Sequence, residues 1–214
     1  MGLFSLDNAF GRFMDKVGKW IALNFLCLLC CIPVITAGAS VAALYGMSLK
    51  MVRGEEGNVI TGFFAALKQN LKKGILIHLI LLLIGAVMAL SLFYINQLQA
   101  EFAFYSYFKW IMYVIAVVYA MVVMYSYPLL AVFENTVRQT FMNALLLSVM
   151  HLPATVMMLA ASAVLPVLCW FVPAALQYVL FFYLLCGFAV IAFVHGQFFV
   201  PMFAQYSEVS DDED

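Results

Sequence analysis

The sequence predicts an all-α fold, a polytopic transmembrane helical bundle of four full spans plus a kinked or re-entrant first segment, with basic amphipathic helices at the membrane interface. Residues 20–49, 74–100, 110–133 and 139–207 contain no Asp, Glu, Lys or Arg, whereas about 20 apolar residues suffice for one helix to cross a bilayer. The chain is 67% hydrophobic and 10% charged, with a mean hydropathy of +1.06. Its Lys and Arg residues gather in the short segments between the apolar runs. Together these features exclude a water-soluble globule and a basic nucleic-acid binder.

Length suits a single domain. Residues 1–207 form that domain, with apolar segments at about 20–49, 74–97, 107–131, 143–164 and 174–203. The net charge of −1 hides a skew: Glu208, Asp211, Asp212, Glu213 and Asp214 make residues 208–214 an acidic tail, expected to be solvated and disordered.

Residues 7–20 place Phe10, Phe13, Met14, Val17 and Trp20 on one helical face and Arg12, Lys16 and Lys19 on another. That is the pattern of a helix lying in the interface. The first apolar stretch is broken by Pro33, Thr36, Gly38 and Ser40. Proline removes a backbone donor, so residues 20–49 form either one kinked span or a re-entrant hairpin turning near 33–38. Gly38, Ala42 and Gly46 put a small residue at every fourth position, which allows close helix approach.

Residues 50–73 form the long polar connection. Arg53-Gly54-Glu55-Glu56-Gly57 reads as a turn. Val59, Phe63, Leu67 and Leu71 then form a stripe opposite Lys68, Lys72 and Lys73, a second basic amphipathic helix. Residues 74–97 read as a clean span with Gly85 and Ala89 as a close-packing pair. In the span 107–131, Trp110 and Tyr113 mark one interface and Tyr125 and Tyr127 the other, as aromatic belts do. Glu134 and Arg138 in the following link stand at i, i+4, spacing that supports a helix weakly. The final charge-free run is too long for one span, roughly 100 Å as a single helix. Pro166 and Pro173 bracket its expected turn at Trp170.

The positive-inside rule separates the readings of the first segment. One kinked span with the 50–73 loop inside leaves six positive residues inside and four outside. A hairpin places Arg12, Lys16, Lys19, Lys50, Arg53, Lys68, Lys72, Lys73 and Arg138 on one side, with Lys109 alone on the other. Both readings put the C-terminus of a multi-pass cell-membrane protein in the cytoplasm.

The run Asn24-Phe25-Leu26 to Gly46, with Pro33-Val34-x-Thr36-x-Gly38-Ala39-Ser40-x-Ala42-Ala43-Leu44-Tyr45 at its centre, resembles the YesL family, also called DUF624. Lys50 to Gly57, Phe63 to Lys73, Tyr127-Pro128-Leu129 and Asn143-Ala144 fit the same pattern. The resemblance implies a bacterial inner-membrane protein, often encoded beside carbohydrate ABC transporters and polysaccharide-degrading enzymes, with no catalytic residues to carry over.

Candidate chemistry is sparse. His78, His151 and His195 lie in apolar surroundings with no carboxylate nearby in sequence, and no His-Glu-x-x-His is present. Buried histidines and the amides Asn24, Gln177 and Gln197 are ordinarily interhelical hydrogen-bonding groups. As functional suspects inside a membrane, His195 and Gln197, with His151 and His78, form the candidate polar patch. Cys27 and Cys30 form a CxxC, with Cys31 beside it and Cys169 and Cys186 far along the chain. These read as small apolar residues. The expectation is a non-enzymatic accessory to carbohydrate uptake or utilisation. It needs no cofactor or metal and binds no nucleic acid; its partners are the lipid bilayer and sugar ABC transporter components. The alternative is a small-solute transporter or channel; an intramembrane enzyme would need acid–base pairs that the sequence does not show.

Overall fold

The computed structural model describes residues 9–55, 57–98 and 104–211. Over these residues the chain is helical almost throughout: α1 (Ala9–Cys31), α2 (Ala37–Arg53), α3 (Val59–Leu98), α4 (Phe104–Val132), α5 (Val137–Met150), α6 (Leu152–Phe171), α7 (Leu176–Phe182) and α8 (Phe188–Asp211). A π-turn, Tyr183–Gly187, joins α7 to α8. The segments Val34–Arg53, Val59–Gln97, Tyr107–Val132, Leu152–Phe171 and Pro173–Tyr206 are long and apolar enough to cross a membrane. Only 11% of the most apolar window of α3, and of α6, is buried within the chain. Leu83, Val87, Leu90 and Phe93 on α3, and Val156, Met157 and Val164 on α6, are exposed. So large an apolar surface requires lipid rather than water around it, and the chain is an integral membrane protein.

The first segment resolves as a hairpin. α1 ends at Cys31, a short 3₁₀ turn follows at Val34–Thr36, and α2 returns. Trp20 packs on Phe193 and Asn24 reaches Tyr183 and Leu184, so α1 runs antiparallel to α8. Gly38 and Ala39 meet Gly74, while Met47 meets Gly62, so α2 runs antiparallel to α3. The tip therefore lies level with Gly74 and His78. α3 continues beyond His78 to Leu98, roughly 30 Å at 1.5 Å per residue. α2 is long enough to span by composition alone, yet the hairpin reaches only the start of the α3 apolar run. Four further candidate spans complete the bundle behind this hairpin. Exposed Ile32, Val34 and Ile35 at its tip suit immersion in hydrocarbon.

Several boundaries differ from those the sequence suggests. The second basic amphipathic segment is no separate interfacial helix. Asn58 starts α3 by accepting from Ile60 N and Thr61 N, and buried Val59 and Phe63 pack into the core while the lysines stay at its surface. The expected span at 143–164 is interrupted at His151, where α5 ends and α6 begins. Pro153 cannot donate to the preceding turn, whereas Pro166 sits inside α6, a position tolerated where neighbouring groups re-satisfy the backbone. Glu134 lies in the loop before α5, so it forms no i, i+4 helix pair with Arg138. Thr136 instead caps α5 reciprocally with Gln139. The α8 backbone is helical to Asp211, and no glycine or proline follows Pro201 to stop it. Residues 212–214 lie outside the described residues.

The largest fully buried side chains, Tyr125, Phe63, Phe199 and Phe203, form the aromatic centre of the core. Tyr125 meets Phe199 edge-on at 4.9 Å, and Phe133 meets Phe203 at 5.3 Å. Tyr125 and Tyr127 thus point into the bundle, not into an aromatic belt. Each finds a hydroxyl partner there, which is why tyrosine is tolerated in the core.

Candidate functional site

Much of the polar chemistry among the described residues collects around the α1–α2 hairpin. Its turn is built by the residues that break the apolar run. Thr36 Oγ1 donates to Cys30 O at 2.7 Å and to Pro33 O at 2.9 Å, occupying carbonyls that the end of α1 leaves open. Ser40 Oγ donates to Cys27 O at 3.1 Å, tying α2 back onto α1. Gly38 lies against α3: a Cβ there would collide with the Gly74 carbonyl and the His78 Cβ. Ala42 is fully buried. Gly46 is looser, 3.5 Å from the Ala131 side chain at its would-be Cβ.

Asn24 is fully buried on α1 and uses its amide completely. Nδ2 donates to Tyr183 O at 3.0 Å and to Leu184 O at 2.9 Å. Oδ1 accepts from Phe188 N at 3.1 Å and from Ala189 N at 3.2 Å. Two of these groups lie in the first half of the π-turn and two just after it, where the regular i→i−4 ladder is broken. One amide thereby re-satisfies a helix defect at membrane depth, where each unpaired backbone group would be costly.

Each of the three histidines meets a tyrosine hydroxyl. His195, only 2% exposed, contacts Tyr45 Oη through Nδ1 at 3.0 Å; its Nε2 lies 3.0 Å from Ser162 Oγ and 3.2 Å from Met158 O. A carbonyl can only accept, so Nε2 carries the proton and Tyr45 donates to Nδ1. His78 Nδ1 pairs with Tyr127 Oη at 2.9 Å. His151 Nε2 pairs with Tyr206 Oη at 3.3 Å across the α5–α6 break. The arrangement joins α2, α3, α4, α6 and α8 through neutral hydrogen bonds.

The candidate patch is therefore not one surface. His195 faces inward, whereas Gln197 is exposed two residues on, because successive helical positions turn by about 100°. His151 and His78 sit in separate pairs. Gln177 is exposed as well. Of the intramembrane amides singled out from sequence, Asn24 bonds between helices as anticipated. Tyr45, Tyr127, Ser162 and Gly74 complete the site and were missed. Gly74 stands 36 residues after Gly38, and no local pattern links the two. Cys27 and Cys31 lie with their sulfurs 3.9 Å apart, a helical i, i+4 spacing. Among the described residues no three of His, Cys, Asp and Glu come together as a metal site.

Residues 20–92 match the family model described as "Protein of unknown function, DUF624". The match covers roughly a third of the chain, the hairpin and most of α3, and bears out the resemblance carried by the Asn24–Gly46 pattern. No curated protein and no solved structure matches the chain.

Proposed function

We propose that this integral membrane protein is a non-enzymatic accessory to carbohydrate uptake or utilisation, acting by presenting its basic end to a partner in the cytoplasm. The observation that carries the reading is charge placement. The antiparallel order of α1, α2 and α3, with α4 returning along α3, sets nine of the ten Lys and Arg residues at one end and Lys109 at the other. The positive-inside rule then assigns that end, and the C-terminus with it, to the cytoplasm of a cell membrane. The same end displays the α2–α3 turn, closed by left-handed Gly54, and the 133–136 loop. The histidines are engaged in hydrogen bonds between helices, which favours a scaffold over a catalyst. Sugar utilisation comes from the family resemblance, and components of a sugar ABC transporter are the natural partners.

Cross-linking in native membranes followed by detergent purification provides the test. The expected outcome is repeated recovery of a permease or ATPase subunit, lost when Arg53 and Arg138 are both replaced by Glu. Recovery of the chain alone under all cross-linking conditions, with sugar uptake into reconstituted vesicles, would replace this reading by that of a transporter.

A further inference from the structure

Beside the hairpin, at the basic end, two adjoining cavities of about 280 and 150 Å³ open between the last turns of α2, the first half of α3 and the exit of α4. Gln69, Ala131 and Val132 line both. Small residues, Gly46, Gly62, Ala65 and Ala66, keep the larger one open, and its polar rim is Lys50, Arg53 and Gln69. The smaller adds Asn70, Lys73 and Glu134. Three cations against one carboxylate leave the cleft positive. Among the described residues none of the three cations forms an ion pair with a carboxylate.

Cations in the last turn of a helix ordinarily complement its dipole, and Lys50 and Arg53 do so on α2. That role leaves the cavity itself unexplained. Two of the open carbonyls of α2 are already met by backbone, Lys50 O by Glu55 N at 2.9 Å and Met51 O by Gly54 N at 3.3 Å. The position of the cleft is also particular. Lys73 immediately precedes the charge-free run 74–100 and Val132 ends α4, so the inner end of the cleft borders the apolar run while Lys50 and Arg53 stand at its outer end.

We propose that this cleft is an anion site for a phosphate ester, held by Arg53 and Lys50 with Gln69 beside them. Guanidinium and amide groups match phosphate oxygens directionally, and basic pockets between transmembrane helices on the cytoplasmic side suit acidic headgroups. Two sources present this chemistry: an acidic phospholipid such as phosphatidylglycerol, and a small soluble phosphate such as glycerol 3-phosphate. The proposal is independent of the accessory reading, because it concerns a ligand and not a protein partner.

The test measures the thermal midpoint of the full chain in neutral detergent, titrated with phosphatidylglycerol, phosphatidylcholine or glycerol 3-phosphate. Phosphatidylglycerol should raise the midpoint saturably and phosphatidylcholine should not. The half-saturating concentration should rise about tenfold or more in the Lys50→Gln/Arg53→Gln variant, as expected for losing charge-assisted hydrogen bonds. Arg12→Gln/Lys16→Gln, which removes exposed cations elsewhere at the same end, should leave it unchanged. Ala65→Leu, which blocks the mouth without altering charge, should weaken binding too and keeps the test decisive if the double variant does not fold. A midpoint shift with glycerol 3-phosphate alone at similar concentration assigns the soluble source; its absence assigns the lipid. Equal responses in wild type, both cleft variants and the Arg12/Lys16 control would overturn the site in favour of diffuse surface charge, as would no response to any phosphate.

Discussion

Asn24→Leu is expected to destabilise the folded protein by between about 2 and 6 kcal/mol. The lower bound takes four interhelical bonds at roughly 0.6 kcal/mol each, the average found within membranes. The upper bound charges each orphaned, buried group about 1.5 kcal/mol. Leucine preserves size and apolarity, so the loss isolates the amide that serves Tyr183 O, Leu184 O, Phe188 N and Ala189 N. Gln177→Leu, at an exposed amide on α7, should cost nothing measurable. Unfolding in mixed micelles checks both. Equal midpoints for the two variants would show that the π-turn satisfies itself and that Asn24 is a bystander.

Gly38→Ala should destabilise strongly while Gly46→Ala should not. The added methyl at 38 meets the Gly74 backbone and the His78 Cβ on a facing helix, and neither is a flexible tip that can swing away. Overpacking of this kind costs about 1–3 kcal/mol. Gly74→Ala should do the same from the other side, since its Cβ would lie 2.7 Å from Ala39 Cα. At Gly46 the nearest atom is an ordinary 3.5 Å away, and the better helix propensity of alanine offers up to about 1 kcal/mol of gain. Protease sensitivity of the α2–α3 turn, with thermal midpoints, distinguishes these outcomes. A uniform response along Gly38, Ala42 and Gly46 would mean that smallness in general matters and not the single crossing point.

The contrast between these glycines shows what could be read in advance. Uninterrupted apolar runs of about 20 residues or more identify membrane helices, because a barrel strand needs only about half that length and a helix satisfies its own backbone in lipid, so the helical bundle was legible from composition. Pro33, Thr36, Gly38 and Ser40 signalled a break, and charge counting favoured the hairpin. Pairings between distant helices carry no local signature. Nothing about His195 indicates Tyr45, 150 residues away, and Tyr127 resembles a belt residue until its hydroxyl is seen on His78. His195 and Gln197 face different ways, one buried and one exposed, because adjacency in sequence is not adjacency on a helix face. Proline position was informative in part: Pro173 opens the last segment just past Trp170 as expected, whereas Pro166 lies inside α6 and Pro153 follows a further break at His151.

The central claim is that residues 20–53 enter the membrane and leave by the same side. Cysteine labelling in a background free of the native cysteines tests it most directly, with single probes at Gly18, Gly57 and Val172. The two glycines have no atom within 4 Å of their would-be Cβ, and Val172 is exposed at the α6–α7 turn. With a membrane-impermeant maleimide on intact cells, Val172→Cys should react, whereas Gly18→Cys and Gly57→Cys should react only after permeabilisation. Labelling of the two glycine positions from opposite faces would make the first segment a full crossing and contradict the re-entrant hairpin.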